Sequence, residues 1–118
     1  MADQIALTIP ADREYHRVVH LVLGGLASRL NLTLENLEDL QLAFDAVLEE
    51  IKDGRDVTMT MALRGDALET RIGPVDVRAA FARDDDEIGL RRVLATVVDE
   101  VDVEDAFVLL TKRVSRVG

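Results

Sequence analysis

Residues 37–51, which read LEDLQLAFDAVLEEI, hold the clearest structural pattern in the chain. Apolar side chains recur there at spacings of three and four, at Leu37, Leu40, Phe44, Val47, Leu48 and Ile51. That spacing puts them on one face of an α-helix and leaves charged side chains on the other. Thr33 can cap the start of the helix, Glu35 suits its positive end, and Gly54 can stop it. We predict a half-buried helix that ends near residue 52.

The chain before this helix predicts a strand and a longer helix. Residues 4–10 alternate apolar and small side chains with the period of two that is typical of a strand with one buried face. Apolar side chains at helical spacing then predict a helix over residues 12–30, with Asp12 as its cap. Gly24 and Gly25 interrupt it, and each costs about 1 kcal/mol relative to alanine. We expect close packing against a neighbouring backbone to offset this cost, with a dimer contact as the alternative.

A β-hairpin follows the second helix. Residues 57–63 and 68–72 alternate in the strand pattern, and Gly65 and Asp66 between them predict a tight turn. The triplet of Arg64 with this pair resembles a cell-adhesion tripeptide, but glycine and aspartate at a hairpin tip indicate a turn.

The remaining third of the chain predicts one helix and two strands. After a connection over residues 75–86, helical spacing returns over residues 90–98, and strand patterns cover 101–105 and 107–114. The predicted order is therefore βααββαββ. This order predicts a two-layer α/β sandwich, with helices on one face of a mainly antiparallel sheet. At 118 residues, we expect one domain over residues 1–118.

Composition restricts the possible partners. The net charge of −9 repels phosphate backbones and anionic lipid, so we expect neither nucleic acid nor a membrane as partner. The chain has no cysteine, which excludes disulfides and thiolate metal sites. Aromatic residues make up only 3%, so the core must be aliphatic. No leader or long apolar run is evident, and we expect a soluble cytoplasmic protein.

Side chains that could bind a metal or catalyse a reaction are few. His16 and His20 stand four apart on the first helix and could share a metal, but no third ligand is evident, and surface histidines are the simpler interpretation. Four consecutive acids, Asp84 to Glu87, could attract a cation, yet adjacent side chains cannot all point at one ion. We interpret them as solvated acids near a helix N-terminus, and we expect no metal site.

Several runs of sequence resemble one bacterial family. Residues 10–15 (PADREY), 25–30 (GLASRL) and 37–43 (LEDLQLA) are similar to the anti-sigma-factor serine kinases of the RsbW and SpoIIAB type, within the histidine-kinase-like ATPase superfamily. Gly89 with Leu90, and residues 98–101 (VDEV), resemble the family's last helix and the strand after it. The resemblance implies the histidine-kinase-like ATPase fold, which agrees with the element order predicted from periodicity.

The resemblance also implies where an ATP site would lie. On the second helix the family has a Glu and an Asn four residues apart, as a base-like group and a Mg²⁺ ligand, and these positions hold Ala46 and Glu50. The family's Asp-x-Gly-x-Gly segment corresponds to the region around Gly73, Pro74 and Asp76, where no such pattern occurs.

The family's third ATP-binding segment is a Gly-x-Gly before the last helix, and this sequence has Glu87, Ile88 and Gly89 there. An acid at that place repels the phosphates that a bare backbone would bind. From the three departures we expect no catalytic residue, no bound cofactor and an ATP site that has been lost.

The resemblance finally implies protein partners. Domains of this kind form homodimers, and the exposed face of the first helix, with Glu14, His16 and Arg17, contacts a sigma factor or its antagonist. The leading hypothesis is thus a regulator that acts by protein binding. The alternatives are an active serine/threonine kinase with a divergent ATP site, and a scaffold domain unrelated to transcription. A solvated helix face is the competing interpretation of Glu14, His16 and Arg17.

Overall fold

A five-stranded antiparallel sheet forms one layer of the protein. The computed structural model describes residues 4–51, 54–82 and 89–115. Its strands are β1 (Gln4–Pro10), β2 (Asp56–Arg64), β3 (Ala67–Gly73), β4 (Glu100–Glu104) and β5 (Phe107–Arg113). They lie in the order β1-β2-β3-β5-β4, and every neighbouring pair is antiparallel. The predicted strands are all present.

Helices form the second layer. They are α1 (His16–Leu30), α2 (Leu34–Leu48), α3 (Val77–Ala80) and α4 (Leu90–Ala95), and a 3₁₀ turn at Arg13–Tyr15 precedes α1. The predicted two-layer α/β sandwich is therefore confirmed. The four-residue α3 was not predicted, because a single turn is too short to show a helical period. No helix in the described ranges is long and apolar enough to cross a membrane.

The core lies between the sheet and the helices. In the register of β2 with β3, Met59 pairs with Ile72 and Met61 pairs with Thr70, so these side chains point to the same face. They meet the buried stripe of α2, in which Phe44 and other members are fully enclosed. The described core is almost entirely aliphatic, as the composition predicts.

Local signals fix the junction of α1 with α2. Asn31 ends α1 in the left-handed conformation (φ 55°), which asparagine tolerates better than most residues. The Thr33 side chain accepts a hydrogen bond from the Asn36 amide at 3.2 Å, so the predicted cap of α2 is confirmed. The two helices thereby turn back on each other within four residues and pack side by side.

The predicted hairpin turn is also confirmed. Arg64 pairs with Ala67 at the end of the β2–β3 ladder, and Gly65 takes the positive φ of 63° that a two-residue turn requires. The side chain of Arg64 bonds Glu69 at 3.0 Å, while Asp66 bonds Arg113 at 3.0 Å. The triplet at residues 64–66 is part of this turn and its ion pairs.

Some predicted boundaries were wrong. The Asp12 side chain does not cap α1, because its Oδ1 accepts a hydrogen bond from the Gly54 amide at 2.8 Å across the molecule. The helix itself begins four residues later, after the 3₁₀ turn. Helix α2 ends at Leu48 rather than near residue 52, and α4 ends at Ala95 rather than Val98. Tighter turns replace the last helical residues at both ends.

The prediction that Gly24 and Gly25 pack against a neighbouring backbone was wrong. A Cβ atom added to either glycine would have no neighbour within 4 Å apart from the helix itself. Both lie on the outer side of α1, and Gly25 is exposed. The described chain therefore gives no internal reason for glycine at these positions.

Candidate functional site

A surface groove runs beside the positions where the resemblance places the ATP chemistry. It has a volume of about 390 Å³ and lies between α2 and α4. Its lining comprises Leu42, Asp45, Ala46, Glu49, Glu50, Leu90 and Val93. Ala46 lies in the last turn of α2 and Glu50 in the turn just after it, and both line the groove. The space beside them is open, and we take it as the candidate site.

The two side chains at the expected catalytic positions offer little to a nucleotide. Ala46 contributes only a methyl group, which packs against the core. Glu50 is half-buried, and within the described residues its carboxylate makes no hydrogen bond or ion pair. A proton acceptor is thus missing at the first position, and a negative charge replaces the expected amide at the second.

Two further carboxylates line the groove, and each has a partner from α1 or the turn before it. His20 Nε2 lies 2.8 and 2.9 Å from the two carboxylate oxygens of Asp45. Arg13 approaches Glu49 at 3.5 Å, with both side chains mostly exposed. The histidine that the sequence offered as a metal ligand is therefore held by Asp45. No group of three or more potential metal ligands occurs among residues 4–51, 54–82 and 89–115.

A second, smaller depression of about 190 Å³ lies on the other side of Glu50. Pro74 and Asp76, from the segment that corresponds to the family's Asp-x-Gly-x-Gly, line it together with Arg55 and Ala79. The Oδ1 atom of Asp76 accepts a hydrogen bond from the Ala79 amide at 3.2 Å and so caps α3. Asp76 stabilises a local helix turn in this arrangement.

Gly73 serves packing. A Cβ atom at this position would lie 2.7 Å from the Ala106 carbonyl oxygen and 2.7 Å from Cδ2 of Phe107. The same carbonyl accepts a hydrogen bond from the Val75 amide at 2.7 Å, which fixes the chain just after the Gly73–Pro74 bond. The absence of a side chain at Gly73 lets β3 approach the β4–β5 turn closely.

Gly89 is the residue before α4, with extended backbone angles, and its carbonyl accepts the first helical hydrogen bond from Val93 at 3.0 Å. It is buried. Glu87, and the acids at residues 84–86, lie outside the described residues, so the expected repulsion of phosphate stays a prediction.

The predicted partner-binding residues lie at the start of α1. Glu14 and Arg17 are exposed, whereas His16 is half-buried and its Nε2 lies 3.2 Å from the Ala11 carbonyl oxygen. Sequence reasoning missed Leu21, whose surface is 71% exposed on the same helix. Its position off the core stripe of α1 was the available signal.

Comparison with known proteins finds relatives that carry the same name. The serine-protein kinase RsbW of Bacillus mycoides (strain KBAB4) is 24% identical over 140 residues, which cover 97% of this chain and 87% of the relative. RsbW of Listeria monocytogenes serotype 4a (strain HCC23) is 34% identical over 79 residues, but these cover only 61% of this chain and 50% of the relative. No protein-family model matches the chain.

The fold also has a solved counterpart. The crystal structure of the RsbU and RsbW domains of a Mycobacterium tuberculosis protein matches 97% of this chain with a TM-score of 0.70 and 16% identity. The chain spans 33% of that longer protein. The fold is therefore that of an RsbW-type α/β domain, consistent with the histidine-kinase-like ATPase fold. The relatives and the shared fold together support the predicted resemblance to the RsbW-type serine-protein kinases.

Proposed function

We propose that this chain is an anti-sigma-factor-like regulator that acts by binding a protein and that has lost the ATP site of its family. Its relatives carry the name serine-protein kinase, so the loss separates it from them in mechanism. In this proposal the chain retains the family's fold, and the surface of that fold binds the partner protein.

The groove beside α2 is the observation that supports this proposal. Ala46 has no group that can accept a proton, so the position of the family's glutamate carries no base-like group. Asp45, Glu49 and Glu50 all line the groove, and within residues 4–51, 54–82 and 89–115 no lysine or arginine lines it. A triphosphate placed there would meet negative charge at short range, and this repulsion is strongest where the site excludes water.

The other expected nucleotide contacts support the same conclusion. Asp76 uses a carboxylate oxygen to cap α3, and Gly73 is required for packing against Phe107. Both residues thus have structural reasons to be present that do not involve a nucleotide.

Nucleotide binding tests the proposal directly. The protein is titrated with Mg-ATP and Mg-ADP by isothermal calorimetry, with the Bacillus mycoides RsbW as a positive control. We expect no saturable heat at concentrations up to about 1 mM, a limit that corresponds to roughly −4 kcal/mol of binding free energy. Micromolar binding of either nucleotide would overturn the proposal.

An active kinase with a divergent site is the second candidate, and one observation favours it. The Glu50 carboxylate has no partner in the described chain and is a suitable oxygen ligand for Mg²⁺. Transfer of labelled phosphate from ATP to an antagonist protein, abolished by Glu50→Gln, would establish this candidate in place of the first.

Partner binding requires its own test. We propose that Glu14, His16 and Arg17 contact a sigma factor or its antagonist, which would place the protein in the cytoplasm. Glu14→Ala with Arg17→Ala should weaken co-purification with such a partner, whereas Glu38→Ala, an exposed acid on α2, should not. If neither a sigma factor nor an antagonist binds the parent protein, the scaffold alternative is favoured.

Two properties of the assembly are also part of the proposal. One domain over residues 1–118 is supported by the core of the described residues, in which buried side chains from all four helices and from every strand except β4 form one cluster. A homodimer is expected from the family resemblance. Light scattering with size-exclusion chromatography should give about twice the mass of the 13.1 kDa chain.

A further inference from the structure

The groove beside α2 has an apolar floor. Leu42 is 49% exposed, which is unusual for a large side chain that also faces a concave surface. Leu90 and Val93 of α4 line the same groove, together with the methyl group of Ala46, although Leu90 is itself buried. Covering the exposed part of Leu42 would remove apolar surface from water, so the groove favours an apolar occupant.

The rim of the groove is acidic. Asp45, Glu49 and Glu50 supply three carboxylates, and the lining residues that the structure describes include no basic side chain. Asp45 is occupied by His20, and Glu49 has only a distant, exposed contact with Arg13. The Glu50 carboxylate has no partner in the described part of the chain. The rim therefore has unused capacity for a cation, in a protein whose net charge is already −9.

Size and charge together define the occupant. A volume of about 390 Å³ lies near the lower end of the range for small-ligand pockets and suits one or two side chains. A polyphosphate is negative and would be repelled by the rim carboxylates. A purely apolar ligand would lie beside these carboxylates without offering them a cation or a hydrogen-bond donor. A basic segment with an apolar side chain satisfies both the floor and the rim.

We propose that this groove binds a basic, apolar-containing segment of the partner protein. An apolar side chain covers Leu42 and Val93, and flanking lysine or arginine side chains pair with Glu49 and Glu50. This inference rests on the proposed function, because a groove that bound ATP would not be free for a peptide. The groove adjoins the Glu14, His16 and Arg17 surface, because His16 and Glu49 line one neighbouring depression.

A designed peptide tests the inference. Acetyl-GKLRLKG-amide is titrated into the ¹⁵N-labelled protein, and amide shifts are followed at low and at physiological salt. We expect saturable shifts that cluster at residues 42–50 and 90–93 and that weaken with salt. Two control peptides separate the contributions: GKSRSKG lacks the apolar side chains, and GELELEG reverses the charge. Both should bind more weakly.

Variants of the protein locate the site. Glu49→Gln with Glu50→Gln removes two rim charges and should weaken binding roughly threefold to thirtyfold, as expected for two exposed ion pairs. The matched control is Glu35→Gln with Glu38→Gln, which removes two exposed charges from the first half of the same helix and should leave affinity unchanged. Circular dichroism verifies that both double variants are folded.

The possible outcomes are distinguishable. Equal loss of affinity in both double variants, shifts outside the groove, or no saturation up to about 1 mM peptide would each overturn the docking proposal. Equal binding of GKLRLKG and GKSRSKG would also overturn it, because the apolar floor would then have no role. Nucleotide titration is separate: Mg-ATP binding would overturn the proposed function, whereas peptide failure without nucleotide binding would leave it intact.

Discussion

Two glycines allow a sharp test of the packing described above, because alanine should change stability in opposite directions at the two sites. Alanine at Gly73 would place its Cβ 2.7 Å from both the Ala106 carbonyl oxygen and Phe107 Cδ2. The carbonyl cannot retreat without lengthening its 2.7 Å hydrogen bond from the Val75 amide. Overpacking of this kind costs about 1–3 kcal/mol.

Alanine at Gly25 has no such obstacle. Its Cβ would enter open space, and the helix would gain up to about 1 kcal/mol of intrinsic propensity. For a domain of 118 residues, 1 kcal/mol shifts Tm by about 4 °C. We therefore expect Gly73→Ala to lower Tm by about 4–12 °C and Gly25→Ala to raise it by up to about 4 °C.

Thermal and urea unfolding of the two variants and the parent measure this difference. The urea midpoint should move while its slope stays constant, which would show that stability and not compactness has changed. An unchanged or higher Tm for Gly73→Ala would refute the packing role of Gly73. A lower Tm for Gly25→Ala would refute the conclusion that the outer face of α1 is free, and would instead favour a contact with another molecule there.

Three other substitutions test single contacts, each by urea unfolding. Lys112→Met removes a nearly buried ammonium group that bonds Asp39 at 3.1 Å and a backbone carbonyl. Because Asp39 is partly exposed, we expect the free energy of unfolding to fall by about 1–3 kcal/mol. The loss should be smaller when Asp39→Asn is added, because no carboxylate is then left unpaired. Thr33→Ala should cost about 1 kcal/mol through loss of the α2 cap, whereas Thr33→Ser should cost little. His20→Ala should cost less than about 1 kcal/mol, because the pair with Asp45 is more than one-third exposed.

The sequence predicted the elements whose side chains repeat. The period of two in β2 and the spacing of three and four in α2 reflect burial on one face, and burial on one face is what the two-layer fold requires. The Gly65 turn and the Thr33 cap were predictable because each depends on one residue and its immediate neighbours. The fold class and family could therefore be predicted before the structure.

The predictions that were wrong concerned residues whose contacts are made across the molecule. Asp12 had the right chemistry for a cap, but the Gly54 amide, distant in sequence, binds its side chain. Gly73 lies where the resemblance places a nucleotide-binding segment, but its packing constraint comes from Phe107 on another strand. Neither partner is visible in a local pattern, because tertiary contacts decide between equally suitable local roles.

The sequence predicted which of the family's nucleotide-binding residues are absent from the candidate site, but it did not predict the groove that lies there. Aligning α2 with the family located Ala46 and Glu50, yet the groove also depends on Leu90 and Val93, which α4 brings to the same place. Leu42 belonged to no predicted stripe, and only the structure shows it half exposed at the groove. An alignment of one helix identifies the residues which that helix contributes to a groove, and it gives no information on the residues that a second helix contributes.

Helix α2 explains how a fold of this kind would survive the proposed loss of its ATP site. Leu40, Phe44 and Val47 are buried against the sheet and carry the stability of the helix, whereas Glu50 lines the groove and its carboxylate makes no hydrogen bond or ion pair within the described residues. Substitution on the groove face is therefore nearly neutral for stability. Selection for nucleotide chemistry can relax on that face while the core face stays fixed. The same separation allows the groove to acquire a peptide partner, because a new rim or floor residue there does not disturb the packing that holds α2 in place.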